Sequence, residues 1–371
     1  MIDRRLLQNF DWVLLGLTLA LGGVGILTLH SAATAGAEIH GVKALAHLKQ
    51  SYWFAIGISG MILLVCFNYR LLNRLALPIY WFSIALLVAV LFVGKEVSGS
   101  QRWLVLGPLS FQPSELVKIP VVIILARYFC DRTSEEGFTL KDLLMPLVWT
   151  LVPFVLIAKE PDLGTGLVVV LIAGSVTLFV KIERRSLILM TVCGVVGSLV
   201  AWFYLLEDYQ KERILVLLDP ERDPLGAGYH SRQSIIAVGS GGLWGKGYSN
   251  GTQNGLAFLP EQHTDFIFSV LAEEWGFLGS ALVVMVYVLL VVWGLSIAIR
   301  SKEPFGIILA VGITSMIFWQ AIINVGMAVG LLPVVGVTLP LVSYGGTSLV
   351  ATMLGIGILM NISMRRFMFK D

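Results

Sequence analysis

Apolar residues run through this chain in long blocks, interrupted at intervals by short clusters of charge. The blocks fall at roughly 11–30, 51–68, 78–94, 113–129, 143–158, 164–181, 186–206, 265–299, 304–331 and 343–364. Runs of about 18–25 apolar residues are what a helix needs to cross ~30 Å of hydrocarbon. Only helices satisfy every backbone polar group locally in lipid, so each block is expected to be one. The pattern predicts an all-α polytopic membrane protein. It has about ten transmembrane helices and one large extracytoplasmic loop, 207–264, between spans seven and eight, all within a single membrane domain, 1–371.

Basic residues set the orientation, because short cytoplasmic loops carry the excess of Lys and Arg. With the N-terminus inside, the inner segments hold Arg4, Arg5, Arg70, Arg74, Arg127, Arg132, Lys141, Lys181, Arg184, Arg185, Arg300, Lys302, Arg365, Arg366 and Lys370. The short outer loops hold Lys43, Lys49, Lys95, Arg102 and Lys159. This bias places both termini in the cytoplasm of a multi-pass protein. The run from Trp12 to Leu29 lacks a small-residue cleavage site and is read as a retained first span.

Composition sharpens the picture without changing it. Hydrophobic residues make up 57% of the chain and charged residues 13%, against about 25% charged in a soluble domain. A net charge of +2 is too small to suggest nucleic acid as a partner. Cys66, Cys130 and Cys193 lie in or near the spans and none lies in 207–264, which argues against a disulfide framework. No CxxC or HExxH spacing marks a metal site.

Candidate chemistry collects where polar sequence meets span ends. Phe258–Gly276, FLPEQHTDFIFSVLAEEWG, packs Glu261, His263, Asp265, Glu273 and Glu274 against a span, and ionisable residues beside lipid call for a reason. On an unbroken helix Asp265 lies ~12 Å outside Glu273. Thr264 is the expected N-cap, with Asp265 in the first turn. Asp265 either stabilises the helix start or serves as a proton acceptor. In Gln112–Lys118, QPSELVK, Glu115 and Lys118 share a helix face, either as a structural ion pair or as an anion site.

Arg102 and Trp103 suit phosphate and a sugar face, or simply the interface. Asp162, in KEPDLGT, is a binding group or an ordinary cap. Gln320 and Asn324 share one face and are expected to bind a neighbouring helix. Pro333, Pro340, Gly345 and Gly346 break the backbone before the last span, which at membrane depth must be buried or line a cavity. From Gly226 to Gly255 nine of thirty residues are glycine. That stretch reads as a flexible connector, although Trp244, Tyr248, Phe258 and Leu259 do not fit one, and a short helix is expected at Ser231–Val238.

These blocks, in this order, resemble the shape, elongation, division and sporulation family. The resemblance is carried by FLPEQHTDFIFSVLAEEWG, by Asn324–Ser348 (NVGMAVGLLPVVGVTLPLVSYGGTS), by QPSELVK and by PDLGT. GTQ at 251–253 and the absence of long tails resemble its elongation branch more than its division branch.

The resemblance implies a peptidoglycan glycosyltransferase that polymerises lipid II on the outer face of the bacterial cytoplasmic membrane. Its implied partners are a class B penicillin-binding protein transpeptidase and other elongation-complex membrane proteins. It puts the family's essential aspartate on Asp265 and its span-four pair on Glu115 and Lys118, and it marks Arg102, Asp162 and Ser343. The chemistry agrees. A carboxylate can take the proton of a sugar hydroxyl, and a diphosphate leaving group needs cations, here Arg102 and Lys118. No cofactor is legible, and a divalent cation, Mg or Mn, sharing that charge stays open. A lipid II flippase and a non-catalytic scaffold are the competing readings.

Overall fold

A computed structural model describes residues 8–35, 46–97, 100–107, 109–132, 137–219, 222–223, 226–256 and 262–366. It is built mainly of helices, and the apolar blocks are helical: α1 (Trp12–Ala35), α2 (Ala46–Cys66), the short α3 (Arg70–Arg74), α4 (Ala76–Val93), α5 (Pro113–Leu116), α6 (Lys118–Asp131), α7 (Leu140–Lys159), α8 (Leu163–Phe179) and α9 (Arg184–Val200). Then follow α10 (Asp208–Leu218), α11 (Ala227–Ser240), α12 (Thr252–Gly255), α13 (Ile267–Arg300), α14 (Pro304–Ala328) and α15 (Gly346–Arg365). Among the described residues eight helices are long and apolar enough to cross a membrane, and α8 is a shorter apolar one. The fourth block is split into α5 and α6 where Pro120 offers no N–H to the Leu116 carbonyl.

The bundle is layered by burial. α15 is almost wholly buried and α14 largely so. α15 packs most extensively on α2, and α14 on α13, α8 and α6. Glycines allow the α2–α15 approach: a Cβ on Gly357 would lie 3.0 Å from the Met61 Cα, and one on Gly57 would strike Met353. Below them, Asn361 donates to the carbonyls of Leu64 and Phe67, and Arg365 donates to Asn361 at 2.8 Å.

Two features depart from the reading of the sequence. Between α4 and α5 the described residues form a three-stranded antiparallel sheet, β1 (Lys95–Val97), β2 (Ser100–Leu106) and β3 (Leu109–Phe111), in that spatial order. And α13 is not continuous. Gly276 has φ +67 and ψ −165, a break that only glycine adopts cheaply. From Phe277 to Arg300 the helix still measures ~36 Å, enough to span.

The break is made by partners distant in sequence. Phe277 and Leu278 donate to the carbonyls of Gly242 and Leu243 at 2.8 and 3.2 Å, while Lys246 and Gly247 donate to those of Glu273 and Glu274 at 3.0 Å. A Cβ on Gly241, Gly245 or Gly276 would meet backbone at 2.1–2.3 Å. The glycine-rich stretch 241–247 is therefore a fitted part and not a loose connector. The short helix expected at Ser231–Val238 is α11, longer at both ends.

Candidate active site

One end of the bundle holds a polar cavity of about 720 Å³. Its wall includes Lys95, Arg102, Trp103, Glu115, Asp162 and Asp265, together with Trp53, Gln112, Thr338 and Tyr344. Four of the six site residues predicted from sequence, Arg102, Glu115, Asp162 and Asp265, thus meet at one place although they come from β2, α5, the α7–α8 turn and the approach to α13. Lys118 and Ser343 do not line it.

Asp265 is half-buried and sits just ahead of α13, whose first residue is Ile267. Thr264 is not the cap: Phe266 holds that position and makes no side-chain capping bond. Nor does Asp265 continue the helix of Glu273, so the 12 Å spacing along one axis does not apply. The turn is instead held through its main chain. Tyr344 N donates to the His263 carbonyl at 2.8 Å, Ser343 Oγ to the Thr264 carbonyl at 2.5 Å, and Asn324 Nδ2 to the Asp265 carbonyl at 2.9 Å. Asn324, fully buried, also donates to the Val337 carbonyl at 2.7 Å. It therefore joins the Asp265 turn to the broken backbone at 329–345, and does not grip a neighbouring helix as its position on α14 suggested.

The 329–345 stretch is itself wedged in place. A Cβ on Gly164 of α8 would lie 2.1 Å from the Val335 carbonyl, and one on Gly25 of α1 2.7 Å from that of Leu341. Gln50 of α2 donates to the Ser343 carbonyl at 3.0 Å. As broken backbone at that depth requires, the stretch lines the cavity through Gly336, Thr338, Tyr344 and Gly345. Gly336, at φ +75, leaves room beside the carboxylate, since a Cβ there would lie 3.5 Å from Asp265 Oδ2.

The other candidates are engaged. Lys118, with 1% of its side chain exposed, donates to Glu115 Oε2 at 2.7 Å. The pair is a buried ion pair, and only Glu115 reaches the cavity wall. Arg102 donates Nε to the Glu160 carbonyl at 2.9 Å and Nη2 to that of Pro161. Asp162 caps α8 through Thr165 N at 3.3 Å and accepts from Gln112 Nε2 at 2.9 Å. Burial pushes its carboxyl up, against the pull of Arg102 and the Thr165 bonds.

Its neighbour Glu160 is buried, and neither carboxylate oxygen has a hydrogen-bond partner among the described residues. Burial first and then the charge of Asp162 raise it to about 8, with Arg102 opposing. Ser343, expected at the substrate, spends its hydroxyl on Thr264 and on Leu339 N at 2.8 Å. Sequence reasoning missed Lys95, Trp53 and Tyr344. Lys95 directly follows an apolar span, a signal that counting it as loop charge passed over. Among the described residues no group of three or more His, Cys, Asp or Glu comes together to hold a metal ion.

A helical bundle of apolar spans with a polar cavity at one end, bordered by a break before its last helix, defines the class: a multi-pass membrane protein. Residues 10–367 match the family of cell cycle proteins comprising FtsW, RodA and SpoVE, and the chain belongs to that family. It is 46% identical to the peptidoglycan glycosyltransferase MrdB of Escherichia coli over 85% of each chain. It is 33% identical to the peptidoglycan glycosyltransferase RodA of Treponema pallidum over 98% of this chain and 99% of that one. In fold it is similar to the rod shape determining protein RodA of Thermus thermophilus, with TM-score 0.71 and 30% identity over 98% of both. It is also similar, at TM-score 0.80 and 32% identity over 96% of this chain and 98% of the other, to a chain of a peptidoglycan synthase complex that coordinates polymerization and crosslinking.

Proposed function

We propose that this chain is a peptidoglycan glycosyltransferase that joins lipid II disaccharides into β-1,4 glycan strands during cell elongation. The observation that carries this reading is the place of Asp265 in the wall of a cavity large enough for a sugar, on a turn fixed by three successive carbonyl bonds. Asp265 takes the proton of the acceptor sugar's 4-hydroxyl as that oxygen attacks the donor's anomeric carbon. The bond to the diphosphate breaks and the configuration inverts. Fixing the turn from behind holds the base in one place, which is how positioning lowers a barrier.

Around it, Trp53, Trp103 and Tyr344 offer flat faces to sugar rings. Arg102, tied to two carbonyls, shapes the groove and holds β2 on the α7–α8 turn. Glu115 is the wall residue that Lys118 neutralises from behind. The basic bundle end, where Arg70 pairs with Glu303 at 3.0 Å, faces the cytoplasm, and the cavity faces outward, where lipid II presents its headgroup. The partner expected is a class B penicillin-binding protein, in keeping with the similarity to a subunit of a synthase complex.

The test is purified protein in a bilayer, given lipid II and no energy source. Wild type should form polymer, and Asp265→Asn, with its melting temperature unchanged, should lose ~10²–10⁴-fold in rate. Polymer from the variant at the wild-type rate overturns the base. Lipid II translocation without polymer returns the molecule to the transporter reading.

A further inference from the structure

Resting on the polymerase reading, the leaving group is a diphosphate, and a diphosphate needs a cation with hydrogen bonds still to give. The three candidate cations are not equivalent. Lys118 is buried behind Glu115 and outside the cavity wall. Arg102 is in the wall, but Nε and Nη2 are tied to the carbonyls of Glu160 and Pro161, which fixes the guanidinium on the α7–α8 turn. Lys95 is in the wall, its side chain exposed, and it makes no ion pair or side-chain hydrogen bond with any described residue.

Its position is built. Helix α4 ends at Gly94, whose N–H still closes on the Val90 carbonyl at 2.8 Å, and β1 starts one residue later at the mouth of the membrane-spanning segment. The β1–β2 ladder sets Lys95 opposite Trp103, and the register slips between Lys95 and Glu96. A slip of this kind re-aims a side chain. Lys95 and Trp103 both line the cavity and Glu96 does not. A cation and a flat ring side by side suit a phosphate followed by a sugar. Asp162 and Asp265 line the same cavity, and their carboxylates would turn a diphosphate toward the cation.

We propose that Lys95 is the group that binds the diphosphate of the lipid-linked substrate, with Arg102 as its frame. A lysine at a bilayer surface also meets phosphate in lipid headgroups, so the experiment separates the two sources.

Polymerisation by wild type, Lys95→Gln, Lys95→Arg and Lys95→Glu is measured against lipid II concentration in nanodiscs of neutral lipid, and again with anionic lipid added. Inhibition by undecaprenyl diphosphate is compared with inhibition by undecaprenyl monophosphate. Expected are a KM about ten-fold higher for Lys95→Gln, a larger rise for Lys95→Glu and near wild-type behaviour for Lys95→Arg. In Lys95→Gln the preference of wild type for the diphosphate inhibitor over the monophosphate should be lost. The melting temperature of Lys95→Gln should equal that of wild type, because the side chain has no partner to lose among the described residues.

Three outcomes overturn the proposal: an unchanged KM, a fall in kcat with the diphosphate preference intact, or a defect that tracks the anionic lipid content and leaves that preference intact. A wild type that forms no polymer removes the polymerase reading instead.

Discussion

Two acidic turns face the cavity, and they spend their carboxylates differently. At 160–162 the carboxylate of Asp162 is consumed by structure: it caps α8 and takes the Gln112 amide, while Glu160 is sealed beneath it. At 263–265 the three carbonyl oxygens accept bonds from Tyr344, Ser343 and Asn324. The first turn builds a wall and the second presents a side chain to the space that wall encloses. Residue type alone does not separate them, since both read as an aspartate before an apolar helix. Both turns are held through their carbonyls, 160–161 by Arg102 and 263–265 by three distant residues; what marks the first is that its aspartate side chain also caps a helix and takes an amide.

The comparison breaks most severely at Asn324. Asn324→Asp keeps the shape but removes the two donors to Asp265 and Val337. With two buried carbonyls left unsatisfied, at about 1–3 kcal/mol each, the melting temperature should fall. The rate at saturating lipid II should fall as well, with little change in KM, because the base loses its position and not its pocket. A variant with full kcat would show that main-chain fixation of the turn is dispensable.

The first turn is sharpened by pH. Glu160, raised from 4.5 to about 8 in the folded chain, binds a proton there that the unfolded chain has already lost. Stability must therefore decline as pH climbs from ~4.5 to ~8 and level off above. Glu160→Gln has no such proton. Its melting temperature should overtake that of wild type as pH is raised through this window, and parallel curves would mean that Glu160 is charged or solvated. The smallest effect belongs to the cap. Asp162→Ala should cost about 1 kcal/mol at the start of α8, seen as a lower melting temperature, with any loss of rate well below that of Asp265→Asn.

Much of this was legible in the sequence. The apolar blocks foretold the helices, Pro333, Pro340, Gly345 and Gly346 foretold the broken wall, and Arg102, Glu115, Asp162 and Asp265 do share a cavity. The missing parts are those fixed by distant partners. The apolar run around Gly276 reads as one helix because the loop that opens it lies thirty residues upstream. Ser343 and Lys118 are polar residues in site-bearing blocks, and nothing local tells which way such a side chain turns. Arg102 looked free because the carbonyls that occupy it belong to another turn. The small sheet 95–111 is too short for its alternation to stand out beside spans.

The interruption at Gly276 divides α13 into a membrane-embedded rod and a nine-residue stub that carries the Asp265 turn at its head. The segment 241–247 clasps both pieces: Lys246 and Gly247 bond to carbonyls of the stub, and Phe277 and Leu278 at the head of the rod bond to carbonyls of Gly242 and Leu243. The joint is therefore splinted rather than loose, and a displacement of 241–247 is delivered to rod and stub together, with the aspartate at the end of the stub.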